Sequence, residues 1–115
     1  MTLLFDRSSL MDRIGQDEEV FHELIDAFFE LQPGRVAELR DAIASGDSAR
    51  TAKLAHLLCG GFRSLSMDPV GQLASAIEQA ARHGDRAGCG DLMVEFDNAF
   101  SDLLTDLAPM RGANP

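Results

Sequence analysis

Apolar residues recur along most of this chain at three- and four-residue steps, the spacing of helices with one buried face. Val20, Phe21, Leu24, Ile25, Phe28 and Phe29 form one such set, and Val36, Leu39, Ala42 and Ile43 resume it after Pro33-Gly34. This predicts a helix opened at Asp17, kinked or broken near Pro33 and ended at Ser45-Gly46. Before it, Ser8-Ser9 followed by Leu10, Met11 and Ile14 predicts a short helix stopped at Gly15. Asp47 caps the next helix, which runs to about Leu65. Asp68-Pro69 then starts another as N-cap and first helical residue, with Val70, Leu73, Ala76, Ile77 and Ala80 apolar and Gly84 as its end. The last helix carries Leu92, Met93, Phe96, Phe100, Leu103, Leu104 and Leu107 ahead of Pro109. Gly88-Cys89-Gly90 leaves its start open between Arg86 and Asp91.

Strand signals are absent: no segment alternates, and Tyr and Trp are missing. The expected class is all-α, an antiparallel four-helix bundle with a short additional N-terminal helix. A length of 115 residues suits one domain, residues 1-115, with its core over about 5-107 and 108-115 as a frayed tail. Hydrophobic residues at 45% and charged residues at 25% are ordinary for a folded chain, so disorder is not expected.

Charge and cysteine usage narrow the function. Ten Lys+Arg against 19 Asp+Glu give a net charge of -9, which repels a polyphosphate backbone and argues against nucleic acid. Cys59 and Cys89 lack metal-ligand spacing and are not needed as a bridge, so a reducing compartment is expected. With no signal-peptide pattern and no apolar run long enough for a membrane span, the expectation is a soluble cytoplasmic protein. The histidines and cysteines are scattered, no phosphate-binding glycine loop occurs, and no carboxylate pair stands out. Neither a metal, a cofactor nor a small-molecule substrate is expected.

The segment from Asp47 to Leu65 carries the candidate chemistry. At about 100° per residue, Leu54, Leu58, Phe62 and Leu65 share one stripe and His56 lies opposite, so its imidazole is expected in solvent. Ala49, Ala52 and Gly60 surround it with little bulk, and Gly61 follows. Adjacent glycines inside a helix cost about 1 kcal/mol each relative to alanine, which close approach of a partner, close helix packing or an early helix end could each explain. Lys53, one turn before His56, and Arg63, two turns after it, can lean toward the ring. Such cations stabilise a phosphorylated imidazole, although exposed Lys and Arg are more often simply solvated. A nucleophilic histidine needs an unprotonated ring nitrogen, which an exposed imidazole offers at neutral pH. His22 and His83 read as ordinary surface residues.

Leu54-Ala55-His56-Leu57-Leu58-Cys59-Gly60-Gly61 resembles the phosphorylation motif of histidine-containing phosphotransfer (HPt) domains, usually Ala-His-x-Leu-Lys-Gly-Ser followed by Ser or Ala. Upstream, Phe5-Asp6, Leu10, Arg13, Ile14, Gly15, Phe28, Pro33, Leu39 and Gly46-Asp47 look like the family's opening helices and Gly-Asp turn. Downstream, Leu73, Ile77-Glu78, Ala80-Ala81-Arg82 and Gly84-Asp85 resemble its fourth helix and exit. The resemblance spans Phe5 to Leu107. It implies a four-helix bundle that accepts a phosphoryl group on His56 from a receiver aspartate or a histidine kinase and passes it to a response-regulator receiver. It implies no kinase activity of its own. Leu58 matches the family's buried leucine, and Gly60 the glycine that admits the receiver. Ala49, Ala52, Cys59 and Gly60 are the expected partner contacts. Where the family carries Lys three residues after the histidine, this chain has Cys59, and Arg63 is the expected substitute. The alternative is an HPt-like interaction module that binds a receiver or kinase without phosphotransfer. A weaker idea is a surface redox switch at Cys59, ionised by Lys53 and Arg63.

Overall fold

The computed structural model describes residues 3–112 and contains five α-helices, with no strand among those residues. They are α1 (Arg7–Arg13), α2 (Glu18–Ser45), α3 (Ser48–Ser64), α4 (Asp68–Arg82) and α5 (Arg86–Leu107), followed by a 3₁₀ turn at Ala108–Met110. Four of the helices start on an aspartate. The carboxylates of Asp6, Asp17, Asp47 and Asp85 accept the backbone N–H of Ser9, Val20, Arg50 and Gly88 at 2.8 to 3.1 Å, satisfying donors that a helix start leaves unpaired.

Two boundaries differ from the sequence reading. Asp68 is the first residue of α4 and Met67 its N-cap, placing Pro69 one position further in. α5 starts at Arg86. Gly88 does not weaken this start but permits it, because a Cβ there would collide with the capping Asp85 carboxylate.

The expected break at Pro33 does not occur, and α2 is continuous from Glu18 to Ser45. An interior proline costs about 3 kcal/mol by removing one backbone hydrogen bond and crowding the preceding turn. Burial of Phe21, Ile25, Phe28, Val36, Leu39 and Ala42 on both sides of it holds the helix in one piece, while the Pro33 ring faces solvent.

α2 to α5 close a ring in which α2 contacts α3 and α5, and α4 contacts α3 and α5. Short turns make successive helices antiparallel. This is a four-helix bundle, and α1 covers one end of it: Arg13 donates to the terminal carbonyls of Arg63 and Ser64 on α3 at 3.1 and 3.2 Å. Phe28, Phe62, Phe96 and Phe100 meet at the centre, with Phe62 contacting the other three rings at centroid separations of 5.7 to 6.0 Å. The tail expected to fray is docked as far as Gly112. His22 Nδ1 donates to the Met110 carbonyl at 2.8 Å, Asp26 accepts from Gly112 N at 3.1 Å, and the Arg111 guanidinium lies over Phe29. His22 is thus an anchor rather than an ordinary surface residue. Residues 113–115 lie outside the described residues.

Candidate functional site

α3 presents His56 to solvent, with its side chain 71% exposed. The buried face of α3 consists of Thr51, Ala52, Ala55, Leu58, Cys59 and Phe62, whereas Leu54 and Leu65 are only half-buried. The apolar stripe is therefore turned toward α4 relative to the expectation from the leucines. Gly71 on α4 explains the turn. A Cβ there would lie 3.3 Å from the Cys59 carbonyl, 3.4 Å from Phe62 Cβ and 3.0 Å from Arg63 Cγ, so the two helices approach at this glycine and enclose the small residues beside it.

Two turns further along α4 from Gly71 stands Glu78, only 10% exposed. Its Oε1 accepts a hydrogen bond from His56 Nδ1 at 3.1 Å, and its Oε2 accepts two from Arg82, Nε at 2.9 Å and Nη2 at 2.7 Å. Burial alone would raise the pKa of Glu78. The hydrogen bonds from Arg82 and His56 outweigh it and hold the carboxyl below its ordinary range, ionised at neutral pH. A carboxylate only accepts, so Nδ1 donates in this contact, and in the neutral imidazole the lone pair is then on Nε2. A charged residue inside the buried set Val70, Ala74, Ile77 and Ala81 is the sequence signal that could have found Glu78.

Arg82 was likewise missed as a member of the site. Together with Lys53 it borders a concavity of about 730 Å³ beside His56, which Ala49, Ala52, Leu57 and Ala81 also line. Arg63 is not among the lining residues. Its stem packs over Gly71, two turns along α3 from the imidazole. Ala52 and Cys59 are buried rather than displayed, which removes the surface position that a redox switch at Cys59 requires. Gly60 is exposed, and a Cβ placed on it would meet nothing within 4 Å, so the fold itself does not demand glycine there. Among the described residues no group of three or more His, Cys, Asp or Glu is gathered to hold a metal ion, and no helix is long and apolar enough to cross a membrane.

The family model for the Hpt domain matches residues 23–107, well over half of the chain. The chain belongs to the Hpt domain family. These domains are phosphotransfer modules of two-component signalling that interact with receiver domains and kinases. No curated protein and no solved structure matches the chain. The matched span of this Hpt domain contains His56, Glu78 and Arg82, while α1, the first turn of α2 and the docked tail lie outside it.

Proposed function

We propose that this Hpt domain acts as one cytoplasmic module of a phosphorelay, taking a phosphoryl group on His56 Nε2 from a receiver aspartate or histidine kinase and delivering it to a receiver. The observation that carries the reading is the Glu78 carboxylate on His56 Nδ1, which leaves Nε2 as the nucleophilic nitrogen. Nε2 attacks the phosphorus of the aspartyl phosphate, the bond from phosphorus to the carboxylate oxygen breaks, and the carboxylate leaves. The ring then carries a positive charge with its proton still on Nδ1, and Glu78 offsets that charge. Arg82 and Lys53, which line the concavity beside His56, are assigned to the phosphoryl oxygens in this reading, supplying what Cys59 cannot. The open space over Gly60 supports close approach of a receiver on the other side of the imidazole. Two free cysteines, both buried, suit a reducing compartment.

The test mixes the purified protein with phosphorylated receiver domains from the same organism. Loss of receiver phosphate, with gain of acid-labile phosphate that maps to His56, is the expected result. Binding without transfer across the whole panel would instead make the protein an interaction module.

Two substitutions separate the roles at the site. Glu78→Ala frees the ring to hold its proton on either nitrogen and removes the counter-charge. It is expected to slow transfer by about 10²-fold, within the range of general acid–base and tautomer effects, as followed by stopped reactions with phosphorylated receiver. Arg82→Ala is expected to cost about tenfold, roughly one charge-assisted hydrogen bond, whereas Arg63→Ala leaves the rate near wild type. The reverse ranking in the same assay would return the cation role to Arg63.

A further inference from the structure

An imidazole that carries a phosphoryl group on one ring nitrogen can release it in two ways. With a proton on the other nitrogen, the departing ring is a neutral imidazole. Without that proton it must leave as an imidazolate anion, a far poorer leaving group. The rate of release therefore depends on whether the second nitrogen keeps its proton, and a ring exposed to water gives that proton up near neutral pH.

On its Nδ1 side His56 meets Glu78 Oε1, to which it donates at 3.1 Å. Glu78 is the only charged side chain among the described residues that are buried, a placement that a carboxylate tolerates only when paired. Arg82 Nε and Nη2 both reach its other oxygen, at 2.9 and 2.7 Å, and pin the carboxylate with Oε1 aimed at the ring. Burial pushes the Glu78 carboxyl up, but the hydrogen bonds from Arg82 and His56 outweigh it and keep the group an anion. Loss of the Nδ1 proton would set a ring lone pair against that anion and strip it of one donor. The other charged groups beside the ring are Lys53 from α3 and Arg82 from α4, and α2 and α5 supply none of the residues lining the concavity there. Those two cations attract phosphoryl oxygens but oppose a positive ring, so Glu78 is the neighbour that favours the ring proton.

We infer that Glu78 is a positioning residue for the outward step: it keeps the proton on Nδ1 of phosphorylated His56 as the pH rises, so that release stays fast on the alkaline side of neutrality. The inference rests on the carrier reading of His56 and extends it from acceptance to release. In the outward step a carboxylate oxygen of the receiver attacks phosphorus, the bond from phosphorus to Nε2 breaks, and its electron pair returns to Nε2 while the Nδ1 proton stays in place. Without a receiver, water attacks instead and gives a proton to solvent. Holding the ring proton has a second consequence at low pH, where the phosphorylated ring is protonated without help. There Glu78 stabilises the loaded cation more than the transition state for release, in which the positive charge is already fading, so its removal speeds release. The pH profiles of wild type and a Glu78 variant therefore cross, which a merely disordered site would not produce.

The test loads wild type and Glu78→Gln with phosphoramidate: the P–N bond of the reagent breaks, ammonia leaves and the bond from Nε2 to phosphorus forms. Glutamine keeps an acceptor at this position and removes the charge, and His56→Gln controls for the site of labelling. After removal of the reagent, loss of phosphohistidine is followed by phosphorus NMR from about pH 5.5 to about pH 8.5, a span that brackets the ordinary imidazole range. The series is run with and without purified receiver domains of the same organism. At the alkaline end Glu78→Gln is expected to release at least about tenfold more slowly than wild type, the effect of moving the ring titration by about one pH unit. At the acid end it is expected to be no slower than wild type. Parallel profiles, equal or uniformly lowered, would overturn the inference while leaving His56 a phosphoryl carrier. No labelling of wild type, or equal labelling of His56→Gln, would remove the carrier reading and the inference with it. If Glu78→Gln does not fold or does not load, nitrogen NMR of the loaded wild type decides the matter. A proton retained on Nδ1 at the alkaline end is then the expected result, and an unprotonated Nδ1 there overturns the inference.

Discussion

Replacing His56 by glutamine is expected to remove phosphoryl acceptance completely, a loss of more than about 10³-fold and so more than about 4 kcal/mol of transition-state stabilisation, while the protein stays folded. The two halves of this expectation have separate physical grounds. Glutamine has no nucleophilic nitrogen, so the covalent step has no acceptor whatever the cations and the carboxylate do. The imidazole is 71% exposed and contributes little to the core, and the glutamine amide can still donate to Glu78 Oε1, so the buried carboxylate keeps a partner. Stability should therefore move by no more than about 0.5 kcal/mol, the usual range for surface substitutions. Retained receiver binding with no acid-labile phosphate on the variant is the outcome to look for. Phosphate on the variant at the wild-type level would place the acceptor elsewhere in the chain.

The parts of this fold that were legible in the sequence are those set by local chemistry. The aspartate caps, the glycine stops and the leucine and phenylalanine periodicity delimit the helices, and the exposure of His56 follows from its angular position relative to Leu58 and Phe62. What was not legible depends on contacts between helices. Of the stripes expected to face inward, Leu58 and Phe62 on α3 and Val70 and Ile77 on α4 are buried, but Leu54, Leu65, Leu73, Ala76 and Ala80 at their edges are only half-buried. The buried faces also include small residues that were not expected there, Ala52 and Cys59 on α3 and Gly71, Ala74 and Ala81 on α4, because close helix approach, as at Gly71 against Cys59, buries small side chains as fully as large ones. That turn of the two helices carries the misplacements at the site. It takes Cys59 and Ala52 inward, seats the Arg63 stem over Gly71, and sets Glu78 against His56 across 22 positions of sequence, where no local spacing connects them. Pro33 illustrates the opposite error: a strong local breaker was overridden by burial on both sides of it.

The dependence of the site on helix approach leads to the largest expected effect on stability. Phe62 is 1% exposed and lies at the junction of rings from three helices, touching Phe28 on α2 and Phe96 and Phe100 on α5. Truncation to alanine removes three edge-to-face contacts and leaves a cavity that those partners cannot close without disturbing the tilted Phe28–Phe100 and stacked Phe96–Phe100 pairs, so Phe62→Ala is expected to cost about 3–5 kcal/mol. For a domain of this length that corresponds to a fall in melting temperature of roughly 15 °C, measured by circular dichroism. The substitution also has a functional signature distinct from that of His56→Gln. Phe62→Ala keeps the Cβ against which Gly71 packs but removes the ring that anchors this part of α3 to α2 and α5, so the cavity loosens the approach of α3 to α4 that holds Glu78 on the imidazole. Transfer by Phe62→Ala should therefore fall even at temperatures where the variant is fully folded, by about the factor seen for Glu78→Ala or less. If the rate in the folded variant equals that of wild type, the geometry of the imidazole and carboxylate is held by α4 and its Arg82 alone and does not depend on the core beneath.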